Sequence, residues 1–419
     1  MEMLDNLFRC ESGRMVSVLA AIFGVHNLDL AEDVVQEAFC KAIHVWPFTG
    51  VPDNPSAWLM TTAKNRAKDL LRRERTARRY APEFGRLLES EWTLSQRVKE
   101  QFEPTAIQDD LLRMMFSCCH PRMPETAQIA LMLHILCGFS IREVAGAFVS
   151  EHAAMEKRIQ RAKKTLAESQ RLLDIRSPKE VSSRAPAVLR ALYLLFSEGY
   201  HGCSGESVTR SEFCREAMRL TSLLLDDARV CSPTAYALFA LMCFDAARLS
   251  GRTDTNGDLY AFEDQNRSQW DHMMIQRGLV LLEQSATGIE MSEYHIEAAI
   301  AAIHCLARSI DETDWAMIVS LYDALVSLRP SPIVALNRAV ALGQWKGPSL
   351  GLRAIEEIQD AGKLSRYPFY FAARAQLAAQ ANCFDVARRD FSRARSLARN
   401  DSERRFMDAK VQHFCGDCT

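Results

Sequence analysis

The stretch NPSAWLMTTAKNRAKDLLRRERTARR, residues 54–79, combines a helix-start signal with a concentration of positive charge. Asn54 belongs to the residue types that cap helix N-termini, and Pro55 fits the first helical turn. A helix is therefore predicted to begin here. Apolar residues at helical spacing predict its buried face, formed by Leu59, Ala63, Ala67 and Leu70.

The same predicted helix carries eight Lys or Arg residues between Lys64 and Arg79, against two carboxylates. The chain as a whole has a net charge of −2. Like charges three or four residues apart on a helix repel each other, so an anionic partner is favoured over a solvated face. Nucleic acid is the partner class that such a basic patch indicates. The stripe at this spacing consists of Lys64, Lys68, Arg72, Arg75 and Arg79.

The bulk composition favours an all-α protein with more than one domain. The chain has 419 residues, 48% hydrophobic and 25% charged, which exceeds one ordinary core. Its thirteen cysteines are scattered through apolar helical patterns, as expected in a reducing cytosol. The N-terminus has no signal-peptide pattern, and the longest uncharged run, Thr126–Ile141, is too short for a membrane span. We therefore expect a cytoplasmic protein with no membrane partner.

Two further segments have a predicted organisation that frames the basic helix. Residues 10–46 are expected to form two helices, of which DLAEDVVQEAFCKAIHVW is the second. Its apolar positions recur at helical spacing, with Asp33, Gln36 and Glu37 on the other side. The Pro- and Gly-rich stretch PFTGVPDNPSAW is expected to be a loop. The predicted buried residues of the second helix are Leu30, Val34, Val35, Ala38, Phe39 and Ala42.

Residues 138–166, GFSIREVAGAFVSEHAAMEKRIQRAKKTL, predict a helix, a short turn and a second helix. The second helix is basic and polar on its outer side, which makes the pair a helix-turn-helix candidate. Residues 81–105 are more acidic and less periodic, and are expected to form a linker. Apolar spacing predicts that the pair is buried through Ile141, Val144, Ala145, Phe148, Met155, Ile159 and Ala162.

Beyond the polar hinge DIRSPKEVSSRAP, the remaining half of the chain is predicted to be helical almost throughout. A weak internal repeat aligns Arg338-Ala339 with Arg374-Ala375, a step of 36 residues. A helix pair that recurs near 34 residues suggests a tetratricopeptide-like stack, whose core forms between neighbouring repeats.

Taken together, AEDVVQEAFCKA and NPSAWLMTTAKNRAKDLLRRE resemble region 2 of the extracytoplasmic-function (ECF) sigma factors of RNA polymerase. The 138–166 pair resembles their region 4 without gaps. The segments ALYLLFSEGY, EDQNRSQWD and SPIVALNRAVA resemble the C-terminal extension of the ECF group with a tetratricopeptide-like domain. The resemblance covers nearly the whole chain, and the ordered pair of motifs is more specific than either motif alone.

The resemblance implies roles for residues of region 2. Asp33, Gln36 and Glu37 match the face that binds the clamp of the largest polymerase subunit. The PFTGVPDNPS loop corresponds to a pocket for a flipped −10 base. The residues that match the −10 DNA face or hold its phosphates are Lys64, Asn65, Arg66, Lys68, Asp69, Arg72 and Arg73, with Arg75 and Arg79 as further phosphate contacts.

For region 4, the resemblance implies −35 DNA contacts and binding to the flap of the second-largest polymerase subunit. Gln and Arg side chains form bidentate contacts with adenine and guanine, respectively. Glu156 departs from the family, which commonly has a basic residue there, and either accepts from cytosine or pairs with Lys157 or Arg161. Val149 replaces the usual turn glycine. The matched positions are His152, Ala153, Glu156, Lys157, Arg158, Gln160, Arg161 and Lys164.

Two sequence motifs could form a metal site or a ligand site, but a purely structural role is favoured for both. SCCHP at 117–121 and CGDC at 415–418 suggest a metal, but adjacent cysteines rarely share one zinc, so helix-end packing is favoured. EDQNRSQWD could form a ligand site, although a salt-bridged loop is favoured because no nucleophile or base surrounds it. No Walker, dinucleotide-binding or zincin motif is present, so neither catalysis nor a cofactor is expected.

The resulting prediction is an all-α, non-enzymatic sigma factor that directs transcription initiation through core polymerase and promoter DNA. Its expected parts are region 2 at 1–80, a linker at 81–105, region 4 at 106–172 and a tetratricopeptide-like domain at 173–419. That last domain is expected either to regulate the factor in cis or to bind a protein or peptide. The alternatives are a helical-repeat, nucleic-acid-binding scaffold that never loads onto polymerase, and a one-component activator without region 2.

Overall fold

A computed structural model describes residues 2–24, 27–77, 109–148, 150–168, 178–201, 211–254, 258–288 and 291–416. In these ranges the secondary structure is helical without strands, as predicted, and one isolated β-bridge joins Thr253 to Leu259. The chain divides into two compact units, residues 1–195 and 196–419. The predicted linker 81–105 lies outside the described residues. No helix that is described has the length and apolar character needed to cross a membrane.

The first unit begins with three helices, Glu2–Phe23 (α1), Leu28–Thr49 (α2) and Pro55–Ala77 (α3). The predicted break between α1 and α2 is confirmed, and Gly24 has a φ of 82° at the end of α1. The predicted core positions of α2 are buried except for Leu30, which is half-buried because Leu28 and Ala31 take the inward positions. Of the predicted apolar face of α3, Leu59, Ala63 and Ala67 are completely buried, whereas Leu70 is half-buried.

The start of α3 forms as its sequence predicts. The Asn54 side-chain Oδ1 accepts a hydrogen bond from the Ala57 backbone N–H at 3.0 Å, and Pro55 is the first helical residue. The bond satisfies one of the N–H groups that a helix start leaves without an intrahelical partner. The direction in which the basic helix leaves the preceding loop is therefore fixed by Asn54.

The loop before α3 is shorter than predicted. Pro47, Phe48 and Thr49 complete α2 instead of beginning the loop. The helix ends at Gly50, whose φ of 81° is readily adopted by glycine and whose N–H donates to the Trp46 carbonyl at 3.0 Å. Pro47 is accommodated within this last turn of the helix. Only residues 50–54 then separate the two helices.

The described part of the first unit continues with Asp110–Cys118 (α4), Glu125–Ile135 (α5), Ile141–Ala147 (α6) and His152–Ala167 (α7). The helix-turn-helix candidate is formed by α6 and α7. A capping box starts α6, because Ser140 accepts from the Glu143 N–H at 3.2 Å and Glu143 accepts from the Ser140 N–H at 2.7 Å. Of the predicted buried positions, Val144, Ala145, Met155, Ile159 and Ala162 are buried, whereas Ile141 and Phe148 are half-buried.

Helix α1 packs on the later helices of the first unit, because it contacts α4 and approaches Leu136 at the end of α5. A β-carbon built on Gly13 would lie 1.8 Å from the Leu136 carbonyl oxygen. Real β-carbons do not approach backbone oxygen that closely. Glycine is therefore required at position 13 for this packing.

The adjacent cysteines of SCCHP lie at the end of α4. Cys118 and Cys119 are buried, and the Cys119 Sγ–H donates to the Met115 carbonyl at 3.4 Å. Burial raises the pKa of Cys119 to about 12 and that of Cys118 well above its usual value. Both thiols are thus protonated core groups at neutral pH, which supports helix-end packing. The side chains of CGDC at 415–418 lie outside the described part of the chain.

The second unit is a succession of packed helices. The boundary at residue 195 falls within Pro178–His201 (α8), which belongs to both units. The helices that follow are Ser211–Asp226 (α9), Pro233–Ala247 (α10), His272–Ser285 (α11), Glu293–Leu306 (α12), Trp315–Leu328 (α13), Pro332–Lys346 (α14), Pro348–Glu356 (α15), Pro368–Gln380 (α16), Phe384–Leu397 (α17) and Asp401–Gly416 (α18). Short 3-10 turns span Leu249–Gly251, Phe262–Asp264, Arg267–Gln269 and Ala361–Leu364.

The 36-residue step in the sequence corresponds to two successive helix pairs. The pair α14–α15 begins at residues 332 and 348, and the pair α16–α17 begins at residues 368 and 384. Ala339 and Ala375, aligned by the repeat, are both buried. Their neighbours Arg338 and Arg374 each form an ion pair, with Asp323 and Asp390 respectively, at 2.5 Å. The repeat is therefore a structural unit, although its tetratricopeptide-like character stays a prediction.

Candidate polymerase and nucleic-acid interfaces

The predicted polymerase-binding residues lie on the outer side of α2. Asp33, Gln36 and Glu37 are exposed, whereas Val34 and Val35 between them are completely buried. This arrangement follows from the 3.6-residue helical period, which turns alternate pairs of positions towards and away from the bundle core. The three polar side chains form one face that a partner helix can reach.

One of these residues also binds α3. The Arg66 guanidinium donates two parallel hydrogen bonds to the Glu37 carboxylate, through Nε to Oε2 and through Nη2 to Oε1 at 3.1 Å. Hydrogen bonding to Glu37 raises the pKa of Arg66 above its usual value. A residue of the predicted polymerase face is thus joined to a residue of the predicted −10 DNA face.

The other predicted −10 residues follow α3 outward from its buried face. Asn65 and Asp69 are exposed, and Lys64 and Lys68 are half-buried. The backbone of Arg72, Arg73 and Arg75 continues the helix, while their side chains lie outside what the structure describes. Arg79 also lies outside the described residues. Basic side chains along the described part of the helix can bind a phosphate backbone.

An aromatic residue that sequence reasoning did not single out lies beside this helix. Phe48 is 89% exposed in the last turn of α2, at the start of the segment that resembles the base-capture loop. The helix ends around it are fixed by Trp46 and Trp58, whose rings meet edge to face with centroids 5.4 Å apart. An exposed ring on a rigid support can stack on an unpaired base. The signal in the sequence was an apolar residue inside a Pro- and Gly-rich stretch.

The predicted −35 residues mostly lie on the outer face of α7. His152, Ala153, Lys157, Gln160, Arg161 and Lys164 are exposed, and Glu156 and Arg158 are half-buried. Met155 and Ile159 hold the opposite face in the core. Glu156 forms no ion pair with Lys157 or Arg161 within the described part of the chain. Val149, the turn residue that departs from the family, lies outside the described residues.

The inner edge of α7 is bound to α2. Lys163 Nζ donates to Glu32 Oε2 at 2.6 Å and lies 3.8 Å from Asp29 Oδ1. Lys163 and Glu32 are 131 residues apart in sequence, so local spacing contains no signal for the contact. The acidic start of α2 is thus occupied by the helix predicted to bind −35 DNA, while the outer residues of both helices remain exposed.

Comparison with known proteins supports the assignment of the first helices and extends to the second unit. Residues 7–77 match the family described as Sigma-70 region 2, which covers α1, α2 and α3. Residues 184–286 match a family described as a family of unknown function (DUF6596).

A relative extends this similarity along the whole chain. The protein named Uncharacterized protein R00370 from Rhizobium meliloti (strain 1021) is 36% identical over 406 residues, or 97% of this chain and 95% of the relative. The similarity therefore includes both compact units in the same order. The chain belongs to the family of that relative and is a sigma-70-family factor with a C-terminal extension that contains the DUF6596 domain.

Proposed function

We propose that the chain is an ECF-type sigma factor that directs core RNA polymerase to promoters in the cytoplasm. The observation that carries the proposal is the Sigma-70 region 2 match over α1–α3, in which the acidic-polar face of α2 is exposed beside the basic helix α3. In this proposal Asp33, Gln36 and Glu37 bind the clamp of the largest polymerase subunit. Binding by these residues requires no catalytic group in the chain.

The proposed −10 contacts combine charge with an exposed ring. Lys64 and Lys68 hold phosphates, with Arg72 and Arg73 further along α3, and Asn65, Arg66 and Asp69 lie on the face that meets the melting strand. Phe48 stacks on the base that leaves the duplex, which offsets part of the unstacking cost of a few kcal/mol. The proposed −35 contacts lie on α7, where Gln160 and Arg161 reach base edges and the flanking lysines reach phosphates.

A helical-repeat scaffold with a basic face is the competing function. Such a scaffold requires neither the exposed acidic-polar face of α2 nor a region 2 sequence, so these two features favour the sigma factor. The role of the second unit, regulation in cis or capture of a separate protein, is a proposal that depends on the first.

Binding to purified core polymerase tests the polymerase part of this proposal. The full chain labelled with a fluorophore is expected to bind core polymerase saturably, and a combined Asp33→Asn, Gln36→Ala and Glu37→Gln variant is expected to bind much more weakly. The matched control is Glu125→Gln, an exposed carboxylate on α5 of the same unit. Equal binding by the triple variant and the control would exclude the α2 face as the binding surface.

A further inference from the structure

A second group of charged and aromatic side chains lies within the second unit, away from the residues assigned above. It is assembled from the end of α8, the end of α10 with the 3-10 turn after it, residues 261–271 and the end of α12. We call it the Arg248 cluster. Its polar members are Tyr200, Asp245, Arg248, Arg252, Gln265, Arg267, Trp270 and His304.

Guanidinium groups and aromatic rings alternate in this cluster. The Arg248 Cζ lies 4.4 Å from the ring centroid of Phe262 and 5.3 Å from that of Trp270. The Arg267 Cζ lies 5.4 Å and 5.2 Å from the same two centroids. The Arg252 guanidinium lies over the Tyr200 ring, with its Cζ 3.9 Å from the ring centroid. Three positive charges are thus held within one aromatic framework.

Among the described side chains of the cluster that are not exposed, positive groups outnumber carboxyl groups. Asp245 Oδ1 is 3.9 Å from Arg248 Nη1, and burial raises the pKa of Asp245, which favours its neutral form. Glu198 is buried two residues before Tyr200 on α8. Glu263, Asp264 and Asp271, the other carboxylates of residues 261–271, are exposed to solvent. With Asp245 and Glu198 both ionised, the three guanidiniums still leave an excess of positive charge among the described groups that are not exposed. His304 adds none at neutral pH, because burial and the nearby Arg248 and Arg267 lower its pKa to about 3.

Six buried polar atoms of the cluster have no hydrogen-bond partner among the residues that the structure describes. Tyr200, Gln265 and Trp270 are only 6%, 9% and 3% exposed, so bulk water does not reach these side chains freely. A buried donor or acceptor without a hydrogen-bond partner destabilises the fold, so these six atoms favour a ligand that pairs with them. The atoms are Tyr200 Oη, Arg248 Nε, Gln265 Oε1, Arg267 Nη2, Trp270 Nε1 and His304 Nδ1.

The balance of hydrogen-bond donors and acceptors among these atoms indicates which class of ligand would bind them. The Arg248, Arg267 and Trp270 atoms are donors only, Tyr200 also donates, and only Gln265 Oε1 is solely an acceptor. A carboxylate or phosphate group accepts several hydrogen bonds and brings the missing negative charge. A neutral or cationic ligand would leave the donors unanswered or add to the repulsion.

The remaining contacts of the same residues give the cluster a rigid frame. Arg267 Nη1 donates to the carbonyls of His304 and Ala307 at 2.9 and 2.7 Å, which leaves Nη2 free to point elsewhere. A β-carbon on Gly251 would lie 3.1 Å from Cδ1 and Nε1 of Trp270, so the indole N–H edge sits against a glycine. The donors are therefore held in place before any ligand arrives, which lowers the entropic cost of binding.

A neighbouring cavity is less suited to an anion. It has a volume of about 240 Å³ and is lined in part by Tyr260, Asp264 and Lys410. Lys410 Nζ lies 3.6 Å from Glu263 Oε1 and 3.9 Å from Asp264 Oδ2, so the lysine already forms ion pairs with two carboxylates.

We propose that the Arg248 cluster is a binding site for a small oxyanion, the carboxylate or phosphate group of a metabolite, with Arg248, Arg267, Tyr200 and Trp270 as its donors. The second unit is then a ligand-binding domain. Neither of the two family descriptions assigns a ligand to it, and the site does not depend on the sigma-factor proposal.

Calorimetric titration of the full chain with inorganic phosphate, and separately with acetate, tests the site at constant ionic strength against chloride. We expect saturable binding of one anion per chain by at least one of the two probes. Arg267→Met is expected to weaken it by about tenfold or more, because one hydrogen bond to a charged group is lost. The control Arg388→Met removes an exposed guanidinium that pairs with Asp385 on α17, and is expected to leave binding unchanged.

Arg267→Met also removes two bonds to backbone carbonyls, so a second variant separates binding from folding. Tyr200→Phe removes only the unanswered hydroxyl. We expect its Tm in chloride to be no lower than that of the unaltered chain, while its anion affinity falls by about fivefold to tenfold. A lower Tm would show that the hydroxyl has a structural partner and would overturn the proposal. So would the absence of saturable binding with both probes, or a high-resolution structure in phosphate with only water against the six atoms.

Discussion

Arg66 on α3 and Glu37 on α2 are bound to each other through two parallel hydrogen bonds, with Nη2 3.1 Å from Oε1. One residue comes from the face proposed to meet −10 DNA and the other from the face proposed to meet polymerase. Both side chains remain partly exposed, at 36% and 47%. The pair therefore links the two proposed surfaces while contributing little to folding.

The first prediction concerns this pair. Glu37→Gln and Arg66→Gln are each expected to leave the free energy of unfolding almost unchanged, because exposed ion pairs contribute little to stability. Glu37→Gln should weaken core-polymerase binding, and Arg66→Gln should slow promoter opening. Urea unfolding, core-binding titration and permanganate footprinting measure the three quantities. If the charge-swapped double variant Glu37→Arg with Arg66→Glu restores both functions, the pair has only a structural role.

The second prediction concerns the start of α3. Asn54→Ala is expected to lower the free energy of unfolding of the first unit by about 1 kcal/mol, because the Ala57 N–H loses its acceptor. Asn54→Ser keeps a capping oxygen and should lose much less. Both variants are compared by urea unfolding followed by circular dichroism. Equal losses in the two variants would mean that the cap does not stabilise α3.

The third prediction concerns the Lys163–Glu32 contact. The −10 and −35 elements lie about 25 base pairs, or roughly 85 Å, apart at 3.4 Å per base pair. The 16-residue helix α7 is only about 24 Å long and touches α2 in this arrangement. In the proposed function both elements are contacted at once, which requires this contact to open.

Glu32→Gln should favour the open form. The affinity of its complex with core polymerase for a promoter duplex that carries both elements is expected to rise by about two- to fivefold, the ratio that corresponds to the loss of about 0.5–1 kcal/mol. Fluorescence anisotropy measures the affinity, and Glu125→Gln serves as the control of equal charge change. Unchanged affinity in Glu32→Gln would indicate that the pair does not restrain α7.

The fourth prediction concerns the buried thiols of α4. With a pKa of about 12, Cys119 has about one ten-thousandth of its thiol ionised at pH 8, and Cys118 is similarly protonated. Iodoacetamide at pH 8 is expected to modify the exposed Cys40 and Cys383 before Cys118 and Cys119. Peptide mass spectrometry over time measures the order. Early modification of Cys118 or Cys119 would contradict their protonated, buried state.

The sequence was most informative where local chemistry determines the structure. Asn54 and Pro55 predicted a helix start that the Asn54–Ala57 hydrogen bond confirms. The repeated Arg-Ala pairs at 338 and 374 predicted a step that two helix pairs follow. In both cases the signal lies within a few residues or in a fixed period, which is the information that a single sequence carries.

Contacts between distant segments could not be predicted in the same way. Lys163 and Glu32 lie 131 residues apart and meet through tertiary packing, as Gly13 of α1 and Leu136 after α5 also do. The interpretation of EDQNRSQWD as a salt-bridged loop was right for Glu263 and Asp264, which pair with Lys410. The ligand-site alternative for the same stretch did not identify the groups around Arg267 and Trp270, because helices α8, α10 and α12 supply them and local spacing carries no signal for them.

Promoter-dependent run-off transcription with purified core polymerase tests the central claim most directly. The full chain is added to core polymerase on a library of genomic promoter fragments. We expect discrete transcripts that core polymerase alone does not make, and their loss when Arg72→Ala and Arg73→Ala are combined, with core binding largely retained. The same transcripts from core polymerase with and without the chain, across the whole library, would contradict the assignment as a sigma factor.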